Sequence, residues 1–265
     1  MNWLLSLLSA VLNSAAVLVE LLFSIPVAGR LLKWGWSILL FLAALVFGIV
    51  DVLLWLVGAR WEKKLRVGVI ILRDENGDAL MQPEEVLAGL DQAIATMYAS
   101  AKVRVLPVWE TWNAPKRGVE LPVANVGWVR TNPESSRANV LRVGCDLRAF
   151  SADLLTTGGE FEFLMASLNF QGNFRRVSGY GAPLMVFIVD SMGQDKRGCS
   201  IGPLSDYVTI VKNETMCIGH ELGHACNLLH VGDKDNLMHG FGCKQGKLDL
   251  WQILLLRAAR HVSYF

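Results

Sequence analysis

HELGHACNLLH, residues 220 to 230, constrains the fold more than any other stretch: its first half works only as a helix, and its second half only if that helix stops. On a helix, residues four apart share a face, so His220 and His224 present two imidazoles to one point with Glu221 beside them. A catalytic zinc ion takes three protein ligands and keeps one open position. His230 can be the third ligand only where the helix breaks, because a continued helix would carry it about 240° round and about 9 Å along the axis from His224. Asn227 supplies the break, since Asn ranks next to Gly in the left-handed conformation that ends helices. A Val or Ile there would remove His230 from consideration.

With NLMHG placing Met238 eight residues after His230, the stretch resembles the metzincin clan of zinc endopeptidases, whose pattern is HExxHxxGxxH followed by a methionine turn. Asn227 stands where that pattern has Gly. The resemblance implies an α/β (α+β) zincin domain over residues 61 to 265, with a mixed sheet, an active-site helix, a Met-turn at Met238 beneath the metal and a closing helix. It further implies one Zn2+ on His220, His224 and His230, with Glu221 as general base in peptide-bond hydrolysis. Gly240 occupies the place where some metzincins carry a tyrosine, and by the same resemblance a strand between residues 198 and 205 would pair with an extended substrate.

Other residues near the motif have plainer expectations. His239 points away from the metal, His261 belongs to the surface or core of the last helix, and Asp233 and Asp235 shape the turn or orient a ligand imidazole. Cys217, three residues before His220, is expected in core packing rather than on the metal. No cysteine precedes Cys145 to serve as a blocking thiol, and no glutamate follows Glu221 to serve as a gluzincin's third ligand. The competing reading is a non-catalytic, membrane-anchored zinc-binding interaction module, its site closed by Cys217 or Cys243. Glu221, which a purely structural site does not need, favours the enzyme.

The chain is 52% apolar, and the excess lies at the front. From Trp3 to Ile25 the only charge is Glu20, and from Trp34 to Gly58 the only charge is Asp51. About 20 apolar residues suffice to span a bilayer. Residues 1 to 60 are therefore predicted as a transmembrane hairpin with helices at about 3–25 and 34–58, uncleaved because no Lys or Arg precedes Arg30. Trp3, Trp34, Trp36, Trp55 and Trp61 lie near the ends of the runs, where indole rings favour the headgroup layer. Asn2, Ser6, Ser9, Asn13 and Glu20 form a polar stripe whose expected partner is Gly48 or Asp51 of the second helix, or another copy of the chain. A first helix lying flat in the interface is a further option.

Arg60, Lys63, Lys64, Arg66 and Arg73 outnumber Arg30 and Lys33 of the hairpin turn, which places the large domain on the cytoplasmic face by the positive-inside rule. Five cysteines cannot all pair within one chain, so no oxidising compartment is required. Asn213-Glu-Thr would be a glycosylation acceptor only in a secretory lumen. A net charge of +1 gives no reason to expect a nucleic-acid partner, and Lys116 with Arg117 reads as a solvated loop. The expected partners are a protein or peptide substrate and the lipid bilayer.

Periodicity and turn residues predict strands over 65–72, 102–109, 138–143, 183–190 and 206–211. They predict helices over 83–99, 160–168, 214–227 and 248–262. Trp109, Trp112 and Trp128 either line a substrate groove or cover a core edge.

Overall fold

A computed structural model of the chain describes residues 2–109, 121–169, 172–240, 243 and 246–265. Trp112, Lys116 and Arg117 lie outside them. Two long helices come first, α1 (Asn2–Phe23) and α2 (Ala28–Leu56), each long and apolar enough to cross a membrane. An α/β body with a mixed sheet follows.

β1 (Lys63–Ile71) is an interior strand paired along both edges, and its composition explains why: Val67, Val69, Ile70 and Ile71 are all fully buried, as expected of a strand covered on both faces. α3 (Pro83–Ala101) crosses over to β2 (Val103–Pro107), which runs parallel to the first half of β1. Pro83 opens that helix, and the Gln82 and Glu85 side chains cap its first turn reciprocally. β3 (Val129–Thr131) continues the same edge of β1. The other edge carries β5 (Leu184–Val189), then β8 (Tyr207–Val211), both parallel, and last β7 (Gly198–Ser200), antiparallel to β8. β4 (Val140–Leu141) and β6 (Ser191–Met192) form a separate parallel pair. Between β4 and β5 lie α4 (Leu147–Leu155), α5 (Thr157–Leu168) and α6 (Asn173–Ser178).

α7 (Ile218–Ala225) carries the histidine motif and follows a single 3-10 turn at Thr215–Cys217, so the helix is shorter than the expected 214–227. The closing helix, α8 (Leu250–Arg257), also stops early. Residues expected to prolong it turn back as β9 (Val262–Ser263), antiparallel to Leu65 and Lys64 of β1, where they cover the open edge beside β5. His261 sits in that turn, fully buried, and Trp128 is a core residue rather than a groove wall.

Asn13 and Glu20 of the polar stripe of α1 face the body, while Ser6 and Ser9 are exposed. Glu20 pairs with Arg176 of α6 at 3.0 Å, and the Asn13 side-chain oxygen accepts from the Phe174 backbone N–H. α2 is held in the same way along its length. Arg30 pairs with Asp153 and, at 2.6 Å, with Glu162; Lys33 meets Asp206 at 2.7 Å; Asp51 meets Arg257 at 2.9 Å. Gly48 lies against Ala258, where an added Cβ would come within 2.4 Å of another Cβ. Arg30 and Lys33 are thus buried partners of the body, not loop charges on a far membrane face. The physical reason is that buried charges require opposite charges and hydrogen bonds, and α4, α5, α6, α8 and Asp206 just before β8 supply them. Three of the expected headgroup tryptophans are also engaged: Trp34 and Trp36 donate to Asp153 and to the Val177 carbonyl, and Trp55 is buried beneath Arg257.

Candidate metal centre

α7 begins just after β8 and packs on α3, so its face toward β7 is presented at the end of the sheet. His220 and Glu221 are buried on that face, and His224 is half-exposed one turn on. The chain then reverses at Asn227, whose φ of 75° is left-handed as the motif requires. The reversal returns His230 to the helix. The Nε2 atoms of His220, His224 and His230 stand 3.0 to 3.1 Å from one another.

Two backbone carbonyls set the chemistry of this triangle. His220 Nδ1 donates to the Leu237 oxygen and His224 Nδ1 to the Leu228 oxygen, each at 2.8 Å. A neutral imidazole has one N–H, so both Nε2 atoms are left as lone pairs pointing inward. Burial keeps all three rings below the ordinary histidine range, with His224 at about 4. Two lone pairs that converge on His230 Nε2 repel one another unless a cation or a proton sits among them. The set fits a metal ion with three imidazole ligands. Asp233 and Asp235 take no part in orienting these two rings; Asp233 accepts from the Asp235 N–H and shapes the turn.

Met238 is fully buried beneath the site, against Gly223 of α7, where an added Cβ would lie 2.5 Å from the methionine sulfur. Asn236 holds this turn by accepting from the Met238 N–H and donating to Gln252. His239 is outside the triangle, and Gly240 packs against the His230 ring.

Glu221 lies beside the triangle, and burial pushes its carboxyl up to about 8. Gly198 of β7 abuts it: an added Cβ would stand 2.9 Å from Glu221 Oε1. The edge strand and the carboxylate therefore share one wall of a cleft of about 690 Å³, bordered also by Phe41 of α2, Phe150 of α4 and Leu229.

The cysteine count left the pairing open, and the structure pairs four of the five. Cys145–Cys199 ties the approach to α4 to the edge strand β7, and Cys217–Cys243 ties the start of α7 to the loop beyond the methionine turn. Cys226 is free and buried. Cys217 and Cys243 are bonded to each other, so neither offers a thiolate to a metal. Both pairings join residues too far apart in sequence for spacing to reveal them. Phe41 escaped sequence reasoning, since phenylalanine does not mark a site by itself, and Gly198 is expected from the sequence only as part of a substrate-pairing strand, not as a neighbour of Glu221.

No protein-family model matches the chain, and comparison with curated proteins likewise finds no match.

Proposed function

We propose that this chain is a membrane-attached, zinc-dependent endopeptidase. The observation that carries the reading is the closed triangle of three imidazole Nε2 atoms with a buried carboxyl group in the same cleft, next to an edge strand. Zinc held by His220, His224 and His230 would supply Lewis acidity, lowering the pKa of a water to about 7 and polarising the scissile carbonyl. An extended peptide laid along β7 would add a strand to the sheet and bring a carbonyl past Glu221. Glu221 takes the proton of the attacking water and returns it to the leaving amine, so that one water and one peptide bond become a carboxylate and an amine. Gly198 leaves the room in which that carboxyl group moves.

Attachment rests on the outward faces of α1 and α2. Leu4, Leu8, Val11, Leu18, Leu39, Val46, Phe47 and Leu53 are all more than half exposed, an apolar surface far larger than a soluble monomer carries. Both ends of α2 are clamped to the same body by Arg30 and Asp51, about 31 Å apart along the axis, close to a full hydrocarbon thickness. A spanning α2 would draw that body into the lipid, so this arrangement favours helices lying against the membrane. The two disulfides favour an oxidising compartment for the body, against the charge count.

The test is zinc per chain in the purified full-length protein, with cleavage of unfolded casein by wild type and Glu221→Gln. One zinc in both proteins, with cleavage lost by about a hundredfold or more in the variant, supports the peptidase. Zinc without cleavage in either protein supports the interaction module instead.

A further inference from the structure

We infer that the substrate is a polypeptide segment held at the lipid surface, such as the stretch by which a membrane-bound protein leaves the bilayer. This inference rests on the peptidase reading and names its substrate class.

The argument starts from Phe41. It stands near the midpoint of α2, on the flank between the stripe buried against the body (Arg30, Lys33, Ser37, Gly48) and the apolar outer face. Phe41 lines the cleft that holds the histidine triangle, while its neighbours Ile38 and Leu42 are 44% and 52% exposed. The helix that offers its apolar face to lipid is therefore also a wall of the candidate active site.

The surrounding wall continues this character. Trp34 of α2 meets Phe150 of α4 edge-on at 5.7 Å, fixing a second aromatic ring at the cleft. Leu229, between two of the metal-binding histidines, is 69% exposed and also borders the cleft. Exposed apolar groups beside a catalytic centre cost solubility and are retained where lipid or an apolar substrate covers them. A bilayer against the outer face of α2 puts the mouth of the cleft at the membrane surface. A chain emerging from lipid reaches it directly, whereas a freely dissolved chain must pass between the lipid and the protein.

The test uses full-length protein reconstituted on vesicles of phosphatidylcholine and phosphatidylglycerol. Three probes are compared: β-casein free in solution, β-casein coupled through its N-terminus directly to a dipalmitoyl lipid, and the same conjugate with a long Gly/Ser spacer. Tethering alone raises local concentration for both conjugates, and a longer linker dilutes that gain only gradually. The inference expects direct-tethered casein to be cleaved at least about tenfold faster than either other probe, with first cuts within roughly ten residues of the lipid. It also expects benzoylphenylalanine in place of Phe41, combined with Glu221→Gln, to crosslink to the direct-tethered chain. Equal cleavage of the direct and spaced conjugates overturns the inference and leaves the peptidase standing. No cleavage of any probe, by wild type and Glu221→Gln alike, overturns the peptidase reading and the inference with it.

Discussion

Asn227 Nδ2 donates to the carbonyl of Leu255, 3.1 Å away in the last turn of α8. That carbonyl is among the helix-terminal oxygens with no donor in their own helix, so the residue that reverses the chain toward His230 also caps the closing helix. Asn thus performs two tasks where Gly would perform one.

Asn227→Gly should keep one zinc per chain and lower stability by about 1 kcal/mol, the usual worth of one such hydrogen bond. Asn227→Val should lose zinc as well, because a β-branched residue resists φ of 75°. Metal content and thermal unfolding of the two variants separate the tasks. Loss of zinc in Asn227→Gly would show that the side chain, not the backbone, places His230.

Gly198→Ala places a methyl group 2.9 Å from Glu221 Cγ and Oε1, so that the carboxyl group must shift. Cleavage should fall by about tenfold or more with zinc content unchanged, since a small displacement of a proton-transfer group is costly. A fully active variant would mean that Glu221 does not work from this position.

Removal of residues 1–60 would strip Arg176, Asp206 and Arg257 of Glu20, Lys33 and Asp51. Arg176 and Asp206 keep each other, but Arg257 loses its carboxylate, and a buried charge left without its partner costs about 3–5 kcal/mol, a large share of a typical domain's stability. Residues 61–265 alone should fail to fold, as seen by circular dichroism in the near ultraviolet. A native-like spectrum would show that the helices are dispensable to the body.

His261 is fully buried, its Nδ1 donates to the Ala182 carbonyl, and burial with the neighbouring Arg260 holds its pKa at about 3. The unfolded chain binds the extra proton from pH 6.5 downward, so this group's contribution rises with pH and is complete above 6.5. Between pH 7 and 5 the wild type should lose about 2 kcal/mol more than His261→Gln. Denaturant unfolding at both pH values measures the difference, and parallel losses would refute the assignment.

Protein isolated from its native compartment, unfolded without reductant, should take up alkylating reagent at Cys226 alone, because the other four cysteines are paired. Labelling at all five would place the body in a reducing compartment.

What the sequence determined by itself was local. The spacing of His220, His224 and His230, the left-handed Asn227 and the start of α3 at Pro83 follow from a few neighbouring residues, because helix periodicity and backbone sterics act over one or two turns. The apolar runs were equally legible. Tertiary structure alone decided what the charges inside them are for: Glu20, Arg30 and Lys33 find partners more than 120 residues away, and Asp51 meets Arg257, 206 residues on. The same holds for the disulfides and for the cleft that Phe41 and Glu221 share. Local periodicity shows that a polar stripe needs a partner; only packing selects one, because burying a charge is favourable where its opposite is already in place.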